Sequence, residues 1–426
     1  MATQSLLSVH ASNISFNRNF VLTNLMTLKE KIIQKIKSEG PINFETFMEM
    51  ALYSEGLGYY AKDSIKIGRA GDFYTSPHLH FIFGAMLGRQ MEEMWAYIGK
   101  PDVFNVVEIG AGMGYLAKDM LEYLQKKKSE ARSQTGSPES RRLSGAEMTE
   151  ENLFQCLKYT IVELNPTVKE KQRELLSEFS DKIEWVSHLH DLKPVTGCFL
   201  SNELLDAFPV RVVETDNGLK EIYVSVDEDS FVELKMPCSN EIKEYFNEFN
   251  ISLPEGYRTE VNLKIKDWLK EISNKISKGF ILTIDYGYTV VDYYSEVRNR
   301  GTLLCYYKHQ INEDIYQNIG QNMGQNIGEQ DMTAHVNFSS LKKWGEEMGL
   351  TTVGFCPQGT YLVSLGIDEV IKELYGDSPD FFDIAKIKGL ILPQGMGESH
   401  KVIVMYKGRD NMALRGFRLR NQIKYL

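Results

Sequence analysis

Residues 106–116 read VVEIGAGMGYL, and the fold turns on them. The apolar, β-branched run VFNVVEIG (103–110) is a strand by composition, and YLAKDMLEYLQKKK (115–128) carries helical periodicity. Between them stand Gly110, Gly112 and Gly114. Glycines are needed where a chain leaves a strand, turns sharply and lets a ligand lie on bare backbone. The spacing is G-x-G-x-G, and Tyr115 occupies the place where the dinucleotide fingerprint wants its third glycine.

Two acids flank the loop. Glu108 lies two residues before Gly110, at a position usually apolar in dinucleotide folds. An acid there can face the cationic amino group of S-adenosylmethionine, a sulfonium ligand with no pyrophosphate to seat at a helix N-terminus. Glu163 ends the next strand, YTIVEL (159–164), where a carboxylate can accept both hydroxyls of a ribose. Asp191, in HLHDL (188–192) after the third strand, stands where an adenine edge is read, and a surface acid at a turn is an equal reading. The alternative to the whole set is a glycine-rich turn with no ligand.

Working outward, LKEKIIQKIKSEG (28–40) and FETFMEMALYSEGLGYY (44–60) read as amphipathic helices, and a long apolar helix runs from about Leu79 to Ile98. KIEWVS, GCFLSNE and GFILTIDYG continue the strands, and YLVSL and KVIVMY near the end are read as two more. Short strands also alternate from Val210 to Leu234. This order predicts an α/β fold: a doubly wound, mainly parallel, seven-stranded Rossmann-like sheet with an N-terminal helical cap and a β-rich insertion. The expected organisation is a disordered leader (1–27), a cap (28–100), a sheet domain (101–408) and a basic, solvated tail (409–426). Inside the sheet domain, 129–152 reads as a mobile polar loop, 207–275 as a β-rich and helical substrate insertion, and 288–340 as a loop region. The tandem QNIGQNMGQNIG (317–328) is too short for a solenoid and reads as a low-complexity loop.

Composition narrows the function. A net charge of -10 over 426 residues argues against a general nucleic-acid binder. No apolar run reaches the length of a membrane span. Five dispersed cysteines (Cys156, Cys198, Cys238, Cys305, Cys356) form no C-x-x-C pair, so neither a disulfide framework nor a zinc site is expected. No metal-ligand spacing stands out. The first 29 residues hold no acid and one arginine, Arg18. A cytoplasmic location is expected, with the mitochondrial matrix as the alternative if that leader is a transit peptide. Oligomeric state stays open, a dimer included.

The motifs GPINFETFMEMALY, GYY, GDFYTSP, VVEIGAGMGYLAKDML, SNELLDAFPVR, TIDYGY and GEQDMTAHVNF together resemble the MidA-like family of S-adenosylmethionine-dependent methyltransferases. That family includes a mitochondrial respiratory-complex assembly factor that methylates an arginine. The resemblance spans about residues 28–408 and implies a class I methyltransferase fold under a helical cap. It implies that Gly71, Asp72 and Thr75 close over the cofactor and that Asn202, Glu203 and Asp206 line the reaction site. Two departures stand out: His78 replaces the family's usual acid, and the QNxG repeat enlarges a loop before QDMTAHV.

Methyl transfer needs alignment of acceptor and methyl and exclusion of water. For a guanidinium acceptor, carboxylates must hold the cation. Glu203, Asp206 and Asp285 follow strand C-terminal ends, where ligands bind in such sheets. A helix cap at Asn202–Glu203 and a turn role for Asp285 are the structural alternatives. His309 and His335 are each a candidate general base or substrate contact, with a hydrogen-bonded structural histidine as the favoured alternative. The N-P-P-Y type motif of many amino-group methyltransferases is absent, and the acids of SNELLD favour a cationic acceptor. The reading is thus a methyltransferase acting on a protein arginine. A small-molecule methyltransferase, a non-catalytic assembly factor retaining the fold, and a nicotinamide-dependent oxidoreductase are the competitors; Glu108 and Tyr115 count against the last.

Overall fold

The computed structural model describes residues 26–62, 75–134, 152–307, 310–312, 327–376, 380–408 and 412–426. In chain order its strands are β1 (Ile42–Asn43), β2 (Phe104–Ile109), β3 (Leu157–Val162), β4 (Ile183–Val186), β5 (Val195–Asn202), β6 (Arg211–Thr215), β7 (Leu219–Asp227) and β8 (Ser230–Pro237). They continue with β9 (Arg258–Val261), β10 (Ile276–Tyr288), β11 (Leu304–Tyr307), β12 (Gln310–Asn312), β13 (Asp331–Thr333), β14 (Val336–Asn337), β15 (Thr351–Pro357) and β16 (His400–Lys407).

The main sheet runs β15-β16-β10-β5-β2-β3-β4, with β14 paired to the end of β10. Its central strands are buried on both faces, so their sequences are near-continuous apolar runs. Alternate side chains feed two cores. Val106, Leu200, Leu282 and Val404 point to helices α3 (Ile82–Tyr97), α4 (Tyr115–Gln134) and α8 (Gln358–Leu365). Val107, Phe199, Ile281 and Ile403 point to α6 (Lys264–Lys275) and α7 (Phe338–Glu347). Helix α5 (Pro166–Leu175) follows β3.

The sheet is mixed rather than mainly parallel. β16 is antiparallel to both β10 and β15, whereas β10, β5, β2, β3 and β4 run parallel in turn, and with β14 the strands number eight. An apolar run such as KVIVMY has the same pattern in either direction, so periodicity cannot report strand polarity. YLVSL is also corrected: it lies in α8, started after Pro357 and stopped by Gly366 at φ 86°. A five-residue apolar run buried on several sides shows no stripe to separate helix from strand. The strand of that region is the preceding TTVGFCP, β15.

The N-terminal helices and the insertion form one body. Helices α1 (Leu28–Glu39) and α2 (Phe44–Tyr53) start on capping side chains: Thr27 accepts from the Glu30 N–H and Asn43 from the Thr46 N–H. β1 pairs antiparallel with β7, Ile42 opposite Val224. Leu28, Ile32, Phe44 and Phe47 then share a core with Val212, Val224 and Phe231 of the insertion and with Met332 of β13. Helix α3, assigned to the cap by its position in sequence, packs instead in the main core with α4.

Residues 412–426 pack as well, contrary to the solvated tail expected. Leu414 and Phe417 are buried, and the Arg415 N–H donates to the Glu93 carboxylate. Isolated apolar residues among the basic ones anchor the segment while Arg415 pairs outward with Glu369. No helix among the described residues is long and apolar enough to cross a membrane.

Candidate active site

The turn after β2 holds Gly110, Gly112 and Gly114 at φ 71°, 53° and 86°, the left-handed region that penalises any Cβ. The Gly110 N–H donates to the Val162 carbonyl at 3.3 Å, docking the turn on β3. A Cβ on Gly110 would lie 2.8 Å from Leu204 Cδ1, whereas one on Gly112 would meet nothing within 4 Å. Gly112 is therefore bare backbone facing open space. Gln172 of α5 braces it from behind. Its Nε2 donates to the Gly112 carbonyl at 2.7 Å and to Glu163 Oε2 at 3.4 Å, and its Oε1 accepts from Trp185 Nε1 at 3.0 Å. Burial raises the pKa of Glu163, opposed by the Asn165 N–H and by Gln172. Asn165 caps α5 and also donates to the carbonyls of Tyr60 and Lys62, tying the N-terminal segment to this acid's turn.

Beyond the C-terminal ends of β5 and β10 lies a cavity of about 310 Å³. Tyr60, Tyr286, Tyr288, Tyr306 and His335 wall it, and Glu203, Asp206, Asp331 and His400 supply its charge-bearing groups. Glu203 has φ 50°, a strained setting for a side chain of its size. Its Oε1 accepts from the Ser76 N–H at 3.1 Å and from Asn202 Nδ2 at 3.2 Å. Asp206 accepts from the Tyr286 hydroxyl, and burial pushes its pKa up to about 6. Asp331 accepts from the Tyr60 hydroxyl at 2.8 Å. Burial, with Arg298 nearby, pushes His335 down to about 4, so its ring is neutral at neutral pH. A second cavity of about 360 Å³, bordered by Glu45, Arg211, Lys264 and Trp344, shares no lining residue with the glycine turn or the acidic cavity.

A family of S-adenosyl-L-methionine-dependent methyltransferases matches residues 86–138 and 139–356. The chain belongs to this methyltransferase family. It is 29% identical to a COG1565 superfamily member from Burkholderia thailandensis solved with S-adenosyl-homocysteine bound; the match covers 94% of this chain and 96% of that one, with a TM-score of 0.77. Among curated proteins it is similar to the mitochondrial protein arginine methyltransferase NDUFAF7 of Mus musculus, 26% identical over 86% of this chain and 81% of the relative. The human protein of that name is 25% identical over 82% of this chain and 75% of its own length. The enzyme is an S-adenosylmethionine-dependent methyltransferase.

The methyltransferase fold brings some of the sequence candidates together and separates others. Gly110, Gly112, Gly114 and Glu163 share one turn region; Glu203, Asp206 and His335 line the cavity, and Asn202 is bonded to Glu203. Glu108 differs from its expected setting. It is 3% exposed, and its carboxylate accepts from the Tyr159 hydroxyl at 2.7 Å on the sheet face shared with Val106. Burial pushes its pKa up to about 7. Asp285 does not line the acidic cavity. It is wholly buried and accepts from the N–H groups of Leu204, Leu205 and Tyr286, so it shapes the turn that carries Glu203 and Asp206. Asp191 is exposed and accepts from the His188 N–H of its own turn.

Thr75 Oγ1 lies 2.6 Å from His78 Nδ1, and the His78 ring packs edge-on to Tyr115 at 5.1 Å, directly after the glycine turn. Gly71, Asp72 and His309 lie outside the described residues, as do 135–151 and 313–326, the bulk of the polar loop and the QNxG repeat. The five cysteines are free thiols. Sequence reasoning passed over Gln172, Asn165, Asp331, Tyr286 and His400. Only Asp331 and Tyr286 stood inside quoted motifs; Asn165 before Pro166 carries a helix-cap signal, and Gln172 and His400 carry no local signal.

Proposed function

We propose that this methyltransferase transfers methyl groups to an arginine side chain of a protein partner, in mitochondria. The observation that carries the reading is three carboxylates, Glu203, Asp206 and Asp331, around one cavity walled by tyrosine rings. Buried carboxylates attract a planar cation that donates several hydrogen bonds, and aromatic faces add cation–π attraction. The NDUFAF7 relatives are named protein arginine methyltransferases and mitochondrial, which favours that compartment over the cytoplasmic expectation.

In this reading Gly110, Gly112 and Gly114 let the cofactor lie on backbone, Glu163 holds its ribose, and Thr75 and His78 border its reactive end. The open space at Gly112 and the braced Glu163 fit such a group. S-adenosylmethionine supplies an electrophilic methyl on a sulfonium. Glu203 and Asp206 hold the acceptor cation and orient one nitrogen. Their own bonds to Ser76, Asn202 and Tyr286 limit their freedom, which pre-organises the site.

The test is transfer of labelled methyl to an array of arginine-containing peptides, followed by hydrolysis and identification of the methylated amino acid. Methylarginine is expected. Glu203→Gln should lower kcat by about 100-fold while S-adenosylhomocysteine affinity holds within about threefold. Label recovered on another amino acid, or a full rate in Glu203→Gln, would end the guanidinium reading.

A further inference from the structure

His400 opens β16, and the antiparallel register sets it opposite Tyr286. Because β16 runs against the parallel strands, its first residue, not its last, reaches the edge where β5 and β10 deliver their ligand-facing groups. The imidazole is 7% exposed and lines the acidic cavity. Nδ1 lies 3.1 Å from Ser399 Oγ. Nε2 has no hydrogen-bond partner and lies 3.7 Å from Glu203 Oε1. A buried polar nitrogen left unpaired costs about 1–3 kcal/mol in an otherwise closed structure. Its position beside a fixed carboxylate, aimed into the cavity, gives it a ligand to meet.

We propose that His400 accepts the proton that the acceptor nitrogen loses during methyl transfer, with Glu203 stabilising the imidazolium that results. This deepens the arginine reading above and rests on it. A guanidinium and a sulfonium enter with one positive charge each; a methylguanidinium, a neutral thioether and one proton leave. The acceptor nitrogen's lone pair forms the N–C bond, and the methyl's bond to sulfur breaks with its pair left on sulfur. The N–H pair stays on nitrogen while its proton passes to His400 Nε2 and then to water.

Glu203 Oε1 is held by Ser76 and Asn202; Asp206 Oδ2 is held by the Tyr286 hydroxyl, and its buried, unpartnered Oδ1 suits the acceptor cation that the arginine reading gives it. His335 also has an unpartnered nitrogen, Nδ1, but burial, Arg298 and His400 all disfavour its cation. The groups facing His400 are Glu203 and Asp206 from the turn after β5, Tyr286 from β10, His335 from the turn before β14, and Ser399 on its own segment. Glu203, 3.7 Å from Nε2, is the carboxylate placed to stabilise the imidazolium once the reaction delivers the proton.

His400→Asn and His400→Gln, compared with the unaltered enzyme on the arginyl peptide array, decide the matter. S-adenosylhomocysteine binding by calorimetry reports folding of each variant. The expected result is a kcat about 100-fold lower, with KM within about threefold. A variant that binds S-adenosylhomocysteine normally and keeps its kcat overturns the proposal and leaves the arginine reading standing. No transfer to any arginyl peptide by the unaltered enzyme overturns the arginine reading itself, and the role of His400 with it.

Discussion

Glu108 shows how a single buried acid can make stability depend on pH. Burial pushes its carboxyl up to about 7 although the Tyr159 hydroxyl pulls the other way. Its folded pKa lies above the unfolded value of about 4.5, so the folded state binds more proton across that interval. The stabilising contribution is full below about 4.5 and is lost as pH rises through about 7. The shift sets an upper bound of about 3 kcal/mol. Glu108→Gln cannot titrate but can still accept from Tyr159. The ligand-free protein should therefore lose several degrees of Tm between pH 5 and 8, and Glu108→Gln should lose less. Equal losses in the two proteins would place the titration elsewhere, with Asp119 or Asp206, which burial raises to about 7 and about 6, as the next groups to examine.

At the scale of elements, the connection between β3 and α5 braces the glycine turn. Gln172 sits one strand away from Gly112 yet holds its carbonyl, Glu163 and Trp185 at once. Gln172→Leu keeps the volume but strands the Gly112 carbonyl and the Trp185 N–H, at about 1–3 kcal/mol each. S-adenosylhomocysteine affinity should fall about tenfold by calorimetry; an unchanged affinity would mean the glycines hold their conformation unaided. The same contrast explains what the sequence could show. The strand, the three glycines and the helix after them were legible because each leaves a local mark: a β-branched run, a demand for positive φ, a 3.6-residue period. The acids of SNELLD were legible as carboxylates at a strand end, and both line the acidic cavity. Gln172 and His400 were not, because their roles come from register, β3 to α5 in one case and Tyr286 opposite His400 in the other. Asp285 misled for the opposite reason. Its position after a strand looked like a ligand site, but three backbone N–H groups consume its carboxylate. KVIVMY is a strand as read, but its direction was not legible, and YLVSL was misread, because apolar runs encode burial and neither direction nor, at five residues, helix against strand.

At the scale of the whole molecule, the glycine turn and the acidic cavity draw on different supports. The glycine turn stands on the main sheet, between α4 and α5. The acidic cavity, at the ends of β5 and β10, also borrows Tyr60 from the N-terminal segment and Asp331 from β13, and both adjoin the core where α1 and α2 meet the insertion. Phe47 lies at the centre of that core, 5.7 Å from Phe44 and 5.5 Å edge-on from Phe231, and is fully buried. Phe47→Ala should cost about 3–5 kcal/mol through lost burial and the cavity left behind. If the two cores are mechanically separate, the loss falls on the acceptor side. kcat/KM for arginyl peptides should then drop by more than tenfold, while S-adenosylhomocysteine affinity changes by less than about threefold. Denaturant unfolding of the same variant should show an early transition that the unaltered protein lacks, because one core would fail before the other. If cofactor affinity instead fell in parallel with kcat/KM across a single transition, the cap, insertion and sheet would act as one cooperative unit, and strain at Phe47 would reach the glycine turn through the Asn165 bonds to Tyr60 and Lys62.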